Sequence, residues 1–165
     1  MEILVNHPRL SIRRQLAESI IEIAKVYGVI KPLQFVHSNA HYSAKLEAMR
    51  SLPSGTIGSN IAEMLDNEGL KLIPRFENHD LKHLILGYGM STIDELRMQA
   101  YLFGNGNRSV SCMLFLSSAL LLPSSWNTLF QDFKKGKNNP SILRLSIDDC
   151  MNERIEVVRQ QYKIR

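Results

Sequence analysis

The spacing between His83 and Glu95 in HDLKHLILGYGMSTIDE, residues 79–95, constrains the fold of this chain more than any other feature. His79 and His83 are four residues apart, so on a helix they project from one face with Cβ atoms about 5–6 Å apart. Glu95 comes twelve residues later, and a straight helix would carry it about 18 Å from His83 at 1.5 Å per residue. The three side chains meet only if the helix breaks between them. Gly87 and Gly89 flank Tyr88 where that break is needed, and Ser91 or Thr92 can cap a second helix that brings Glu95 back. Asp80 sits about 100° around the helix from His79, so it joins the group only if the first turn frays. Otherwise it supports a neighbouring ligand or caps the helix start.

The rest of the chain has the same helical periodicity, cut by glycine and proline. Leu16, Ile20, Ile23, Ala24 and Tyr27 form one apolar face of a helix that Gly28 can end. A second helix is expected over about 32–50, and a third carries Ile57, Ile61, Met64 and Leu65 on one face, with Pro53, Ser54 and Gly55 between the two. Residues 70–77, containing Pro74, form a connection. Further helices are expected at about 77–87, 91–104, 109–122 and 125–136, and a last one over about 147–161. No strand alternation of useful length occurs, although LRLSI could be extended. The expected fold is therefore all-α, a single-domain bundle of six to eight short helices over residues 1–165 with one helical hairpin.

A chain of this length buries roughly 70% of its unfolded surface and needs no covalent staple. Cys112 and Cys150 fit no Cys-x-x-Cys spacing and read as reduced core thiols of a cytoplasmic protein. The opening MEILVNHPRL has too short an apolar run for a signal peptide, and no stretch reaches the length of a membrane span. The net charge of +4 is a mild bias. Its only cluster, Lys134, Lys135 and Lys137, lacks interleaved aromatic platforms, which argues against nucleic acid and for a solvated loop or attraction to anionic lipid head groups. The segment SCMLFLSSALLLP, 111–123, is apolar nearly all round and is expected either inside the bundle or along an apolar cavity.

Two histidines and a carboxylate suit a borderline divalent cation, zinc first, with iron and manganese as alternatives. His37 and His41, in HSNAH, have the same spacing without an acidic partner and are expected to face solvent.

HDLKH, eleven residues and Glu, with Gly-Tyr-Gly inside, resembles the signature of the coenzyme Q (ubiquinone) biosynthesis protein four family, His-Asp-x-x-His-x11-Glu. Upstream, Pro53, Gly55, Thr56, Ile57 and Gly58 resemble that family's Pro-x-Gly-Thr-Leu-Gly helix. Downstream, FQDFKKGKNN and ERIEVVRQQYKI resemble its basic helix and its final Leu-x-x-Val-Arg stretch. The chain departs from the pattern at Asp94, where a glycine often stands, and in lacking an aromatic near Ile147 to Cys150, and its opening residues are not expected to act as an organelle-targeting extension.

The resemblance implies a metal site of His79, Asp80, His83 and Glu95, usually for zinc, with Asp80 and Glu95 able to move protons. It implies a polyprenylated ring precursor as ligand and a role in oxidative decarboxylation at ring C1, the reaction of a lyase. It also implies other quinone biosynthesis proteins and a second copy of the chain as partners, and a peripheral position on the inner face of a membrane. Helices near 57–65 and 110–122 would then wall the prenyl chain. Two other readings fit part of the pattern. One is a non-catalytic prenyl-lipid scaffold with a structural ion. The other is a His-Asp metal phosphohydrolase that would draft His41 and Asp94 as further ligands.

Overall fold

The computed structural model describes residues 40–73 and 76–164, together with Gln15 and Ser19, which are helical and exposed. Among the described residues the protein is all-α. The helices are α1 (Ala40–Arg50), α2 (Ile57–Asn67), α3 (Glu77–Leu86), α4 (Thr92–Gly104), α5 (Val110–Ser118), α6 (Trp126–Asn138), α7 (Ile147–Cys150) and α8 (Ile155–Gln161). Two 3-10 turns, Ala119–Leu121 and Pro123–Ser125, join α5 to α6. The rest of the expected first helix, the first half of the second, His37 and the side chain of His41 lie outside the described residues.

The PSGTIG stretch shows how local sequence sets the packing. Gly55 takes φ +85°, Thr56 caps α2 by accepting from the Ser59 amide at 3.3 Å, and its hydroxyl donates to the Pro53 carbonyl. The first amides of α2 lack intrahelical acceptors, and the chain beyond α7 supplies them: Ile57 donates to the Glu153 carbonyl and Gly58 to that of Met151, each at 2.8 Å. That pairing splits the single helix expected over about 147–161 into α7 and α8. Residues between them leave helical geometry to satisfy the amino end of α2. A side chain at Gly58 would crowd the Met151 carbonyl oxygen.

Helix α4 is the centre of the molecule. Met98, Tyr101 and Leu102 join a large core with Met49, Ile57, Ile61, Leu65, Leu81 and Ile85. Leu96 and Ala100 join a smaller cluster with Ala119, Leu122 and Leu129. Helices α4 and α6 touch backbone to backbone, because a Cβ at Gly136 would overlap the Tyr101 carbonyl and one at Gly104 the Phe133 carbonyl. Asn105 closes this contact by donating to the Gly136 carbonyl at 2.9 Å and accepting from the Ile142 amide at 2.8 Å. The two thiols, Cys112 and Cys150, are free and buried, and burial pushes that of Cys150 up to about 11.

One expectation changes here. Helix α5 buries only Cys112 and is not a core helix. The buried apolar residues of α2 and those near 119–122 belong to two separate core clusters. Periodicity alone cannot separate an all-round apolar helix that is buried from one that is exposed.

Gly136→Ala should cost about 3 kcal/mol and lower the melting temperature by about 6–12 °C, because the helices must move apart. Gly69→Ala, with nothing within 4 Å of its added Cβ but φ +64°, should cost only about 1–2 kcal/mol. Thermal melts of both variants check the comparison, and equal losses would contradict the close α4–α6 contact.

Candidate metal centre

Helix α3 carries His79, Asp80 and His83 and ends in a Schellman turn. Gly87 takes φ +71°, its amide reaches the Leu84 carbonyl at 3.3 Å, and the Tyr88 amide returns to the His83 carbonyl at 3.2 Å. The left-handed residue is thus Gly87. Gly89 is not in the left-handed region, and its constraint is steric: a Cβ there would stand 2.9 Å from the Asp94 carboxylate. Ser91 then caps α4 through the Asp94 amide at 3.2 Å, which places Glu95 in the first turn. The positive end of the helix dipole favours a carboxylate there.

The hairpin brings three of the four expected residues together. His83 Nε2 lies 3.0 Å from His79 Nε2 and 3.0 Å from Glu95 Oε2, and His79 Nε2 lies 3.3 Å from the same oxygen. These three side chains form a group that could hold a metal ion. His83 and Glu95 are buried and His79 is half-buried. Asp80 is buried beside the group but is not one of its three members, and its carboxylate makes no hydrogen bond among the described residues. Burial raises its pKa to about 6 against the pull of His79 and His83.

Several contacts orient these atoms. The Tyr88 carbonyl stands 3.2 Å from His83 Nδ1 and can only accept, so Nδ1 carries a proton and Nε2 is the atom turned to the group, donating to Glu95 when protonated and free to bind an ion when not. The Gln99 amide donates to Glu95 Oε1 at 2.8 Å, which leaves Oε2 toward the histidines. Burial opposes the charge on Glu95, but hydrogen bonds and charge from His79 and His83 outweigh it and hold the carboxyl well below the usual range. Arg159 donates to the Leu84 and Ile85 carbonyls at 2.9 Å each and so caps the end of α3.

The donor set fits a cation. Imidazole nitrogens and carboxylate oxygens bound tetrahedrally at about 2.0–2.2 Å to one ion stand about 3.3–3.6 Å from each other, so the three donors need to spread by only a few tenths of an ångström to admit it. The observed separations are also hydrogen-bond lengths when the imidazoles are protonated. Protons and a divalent ion therefore compete for one place.

Asp94 points elsewhere. It accepts from the Ser91 hydroxyl at 2.7 Å and lies 3.6 Å from Arg97. Arg97 in turn donates to the buried Asp132 at 2.8 Å and lies over the Tyr88 ring. Burial, with the charge and hydrogen bond of Asp132, pushes the Tyr88 hydroxyl up. Gln99, Arg159, Asp132 and the Tyr88 carbonyl were not among the sequence candidates. Gln99 alone left a signal, being four residues beyond Glu95 on the same helical face.

His83→Ala and Gly87→Val should both lower metal content strongly, the second without touching a donor, whereas Asp94→Asn should leave it unchanged. Gln99→Leu should weaken metal binding by about 10–100-fold. Metal analysis of the purified variants checks all four. Loss in Asp94→Asn, or retention in Gly87→Val, would overturn the assigned geometry.

No family model matches the sequence, and no curated protein matches it. The chain is similar in fold to the crystal structure of a provisionally assigned ubiquinone biosynthesis protein from Nostoc punctiforme PCC 73102, with a TM-score of 0.58 and 18% identity over 93% of this chain and 82% of that one. At that identity the likeness is one of fold.

Proposed function

We propose that this chain is a metal-binding protein of ubiquinone biosynthesis, in which His79, Asp80, His83 and Glu95 hold a divalent cation beside a polyprenylated ring precursor and support oxidative decarboxylation at ring C1. The observation that carries the reading is the convergence of three donor atoms at 3.0–3.3 Å next to a buried carboxylate without a hydrogen-bond partner among the described residues. A buried, unpaired carboxylate is costly unless a cation or a proton answers it. The fold likeness to a protein assigned to ubiquinone biosynthesis agrees with this reading.

Zinc is the first choice of ion, with iron and manganese as alternatives, and when bound it would supply Lewis-acid stabilisation of negative charge on a ring oxygen. The chain's own residues do the rest. Tyr88 and Gln99 fix the donor atoms of His83 and Glu95, and Asp80 is the better placed of the two carboxylates to hold a proton. Glu95, held in its charged form by two imidazoles, acts as a ligand.

A second reading, a non-catalytic prenyl-lipid scaffold with a structural ion, draws on the separation of the two apolar clusters that were expected to wall a single tunnel. The His-Asp phosphohydrolase reading loses support because Asp94 is engaged by Ser91 and Arg97.

Incubation of the zinc-loaded protein with a prenylated hydroxybenzoate and an oxidant, followed by mass spectrometry, tests the proposal. Binding with loss of the carboxyl group, abolished in His83→Ala, supports it, and binding without turnover supports the scaffold. Absence of any binding overturns both. Metal retention should weaken as the pH is lowered, since ligand atoms must be deprotonated to bind it.

A further inference from the structure

We propose that the outer face of α5, the turn after it and the outer stripe of α6 form a docking surface for an anionic lipid bilayer. The surface stands on exposure and charge, and holds whichever ligand the metal centre takes. Val110, Met113, Leu114, Leu120 and Leu121 are 72, 56, 65, 72 and 53% exposed, and Trp126 and Phe130 are 50 and 55% exposed. Seven large apolar side chains exposed within one short stretch is more than solubility tolerates without a partner. Val110, Met113 and Leu114 follow helical spacing on α5, and Leu120 and Leu121 continue the exposed surface in the 3-10 turn, while Cys112 faces inward, where its thiol donates to the Gln99 carbonyl at 3.5 Å. The outer side is a surface built on an anchored element and is not a misplaced core.

Charge selects the partner. No Asp or Glu occurs from Leu96 to Gln131. On α6 the residues Trp126, Phe130, Lys134 and Lys137 share one stripe, opposite the buried Leu129, Asp132 and Gly136. Lys134 Nζ lies 4.5 Å from the Phe130 ring centre, so a cation borders the apolar surface directly. Arg108 precedes Val110 at the other end, with its guanidinium over the Phe103 ring. Asp132, the nearest carboxylate on α6, is fully buried and neutralises Arg97 and Lys135, leaving the charge of Lys134 and Lys137 outward. The Trp126 indole donates to the Ala119 carbonyl at 2.7 Å, so its ring can enter an apolar phase with its donor already satisfied.

Geometry sets the mode of contact. No single helix among the described residues is long and apolar enough to cross a membrane, and the two segments Val110–Leu121 and Pro123–Asn138 meet at 109°. Such a pair suits the plane of the head groups, with leucines and aromatics below and lysines toward lipid phosphates.

Co-sedimentation of the purified chain with vesicles of phosphatidylcholine alone, or mixed with phosphatidylglycerol, tests the proposal. The chain should bind the mixed vesicles at least about tenfold more tightly than neutral ones, and less so at high salt. Leu114→Glu with Leu120→Glu, and separately Lys134→Glu with Lys137→Glu, should each lose about tenfold in affinity, with metal content unchanged. Trp126 is the sole tryptophan, so its emission in the unmodified chain should shift to the blue on mixed vesicles even where a variant fails to fold. Absence of binding and of that shift overturns the proposal. So does a leucine pair variant that binds normally, or a dimer of the unmodified chain that the leucine substitutions dissociate, which would make the face a protein interface.

Discussion

The Tyr88 backbone holds His83 from two sides, and the candidate site depends on that clasp. The Tyr88 amide donates to the His83 carbonyl and its own carbonyl accepts from His83 Nδ1, so one residue ends α3 and orients the ring. Left-handed geometry at Gly87 makes this possible, since a residue with a Cβ resists that conformation. The same reversal starts α4 at Ser91 and delivers Glu95 to within 3.0 Å of His83. A turn motif common to many helices here sets both the orientation of the His83 ring and the place of Glu95 beside it.

Around this turn the protein carries polar groups that would otherwise be costly. Glu95 and Gln99 lie buried on the central helix, and Gln99 satisfies one carboxylate oxygen while the histidines take the other. On the far side, Asp132 is fully buried but meets Arg97 and Lys135, and Arg97 packs on Tyr88. Removing one partner from such a network leaves an uncompensated charge, at a cost of about 3–5 kcal/mol. The site is therefore braced from α6 and, through Arg159, from α8. Its link to the exposed face is short: Gln99 grips Glu95 with its side chain and accepts the Cys112 thiol of α5 at its carbonyl.

The hairpin was legible in sequence because covalent geometry leaves few alternatives once two histidines and a distant glutamate are asked to meet. The start of α4 was legible for a similar reason, being marked by Ser91. The break between α7 and α8 was not, because it answers the unpaired amides of Ile57 and Gly58, about a hundred residues away. The choice of Gly87 over Gly89 as the left-handed residue depends on which residue ends α3. The exposure of α5 could not be read, since its composition suits a protein core and a lipid surface equally. Asp80 is the residue that spacing alone placed least well: it is buried next to the three donors, yet stands outside their group.

X-ray absorption at the zinc edge of the metal-loaded protein tests the central claim most directly, because it reads the donor atoms themselves. The account predicts two imidazole nitrogens and carboxylate oxygen at about 2.0–2.2 Å, with the outer-shell scattering of histidine rings. A spectrum with sulfur in the coordination shell, or with oxygen alone and no imidazole signature, would contradict it.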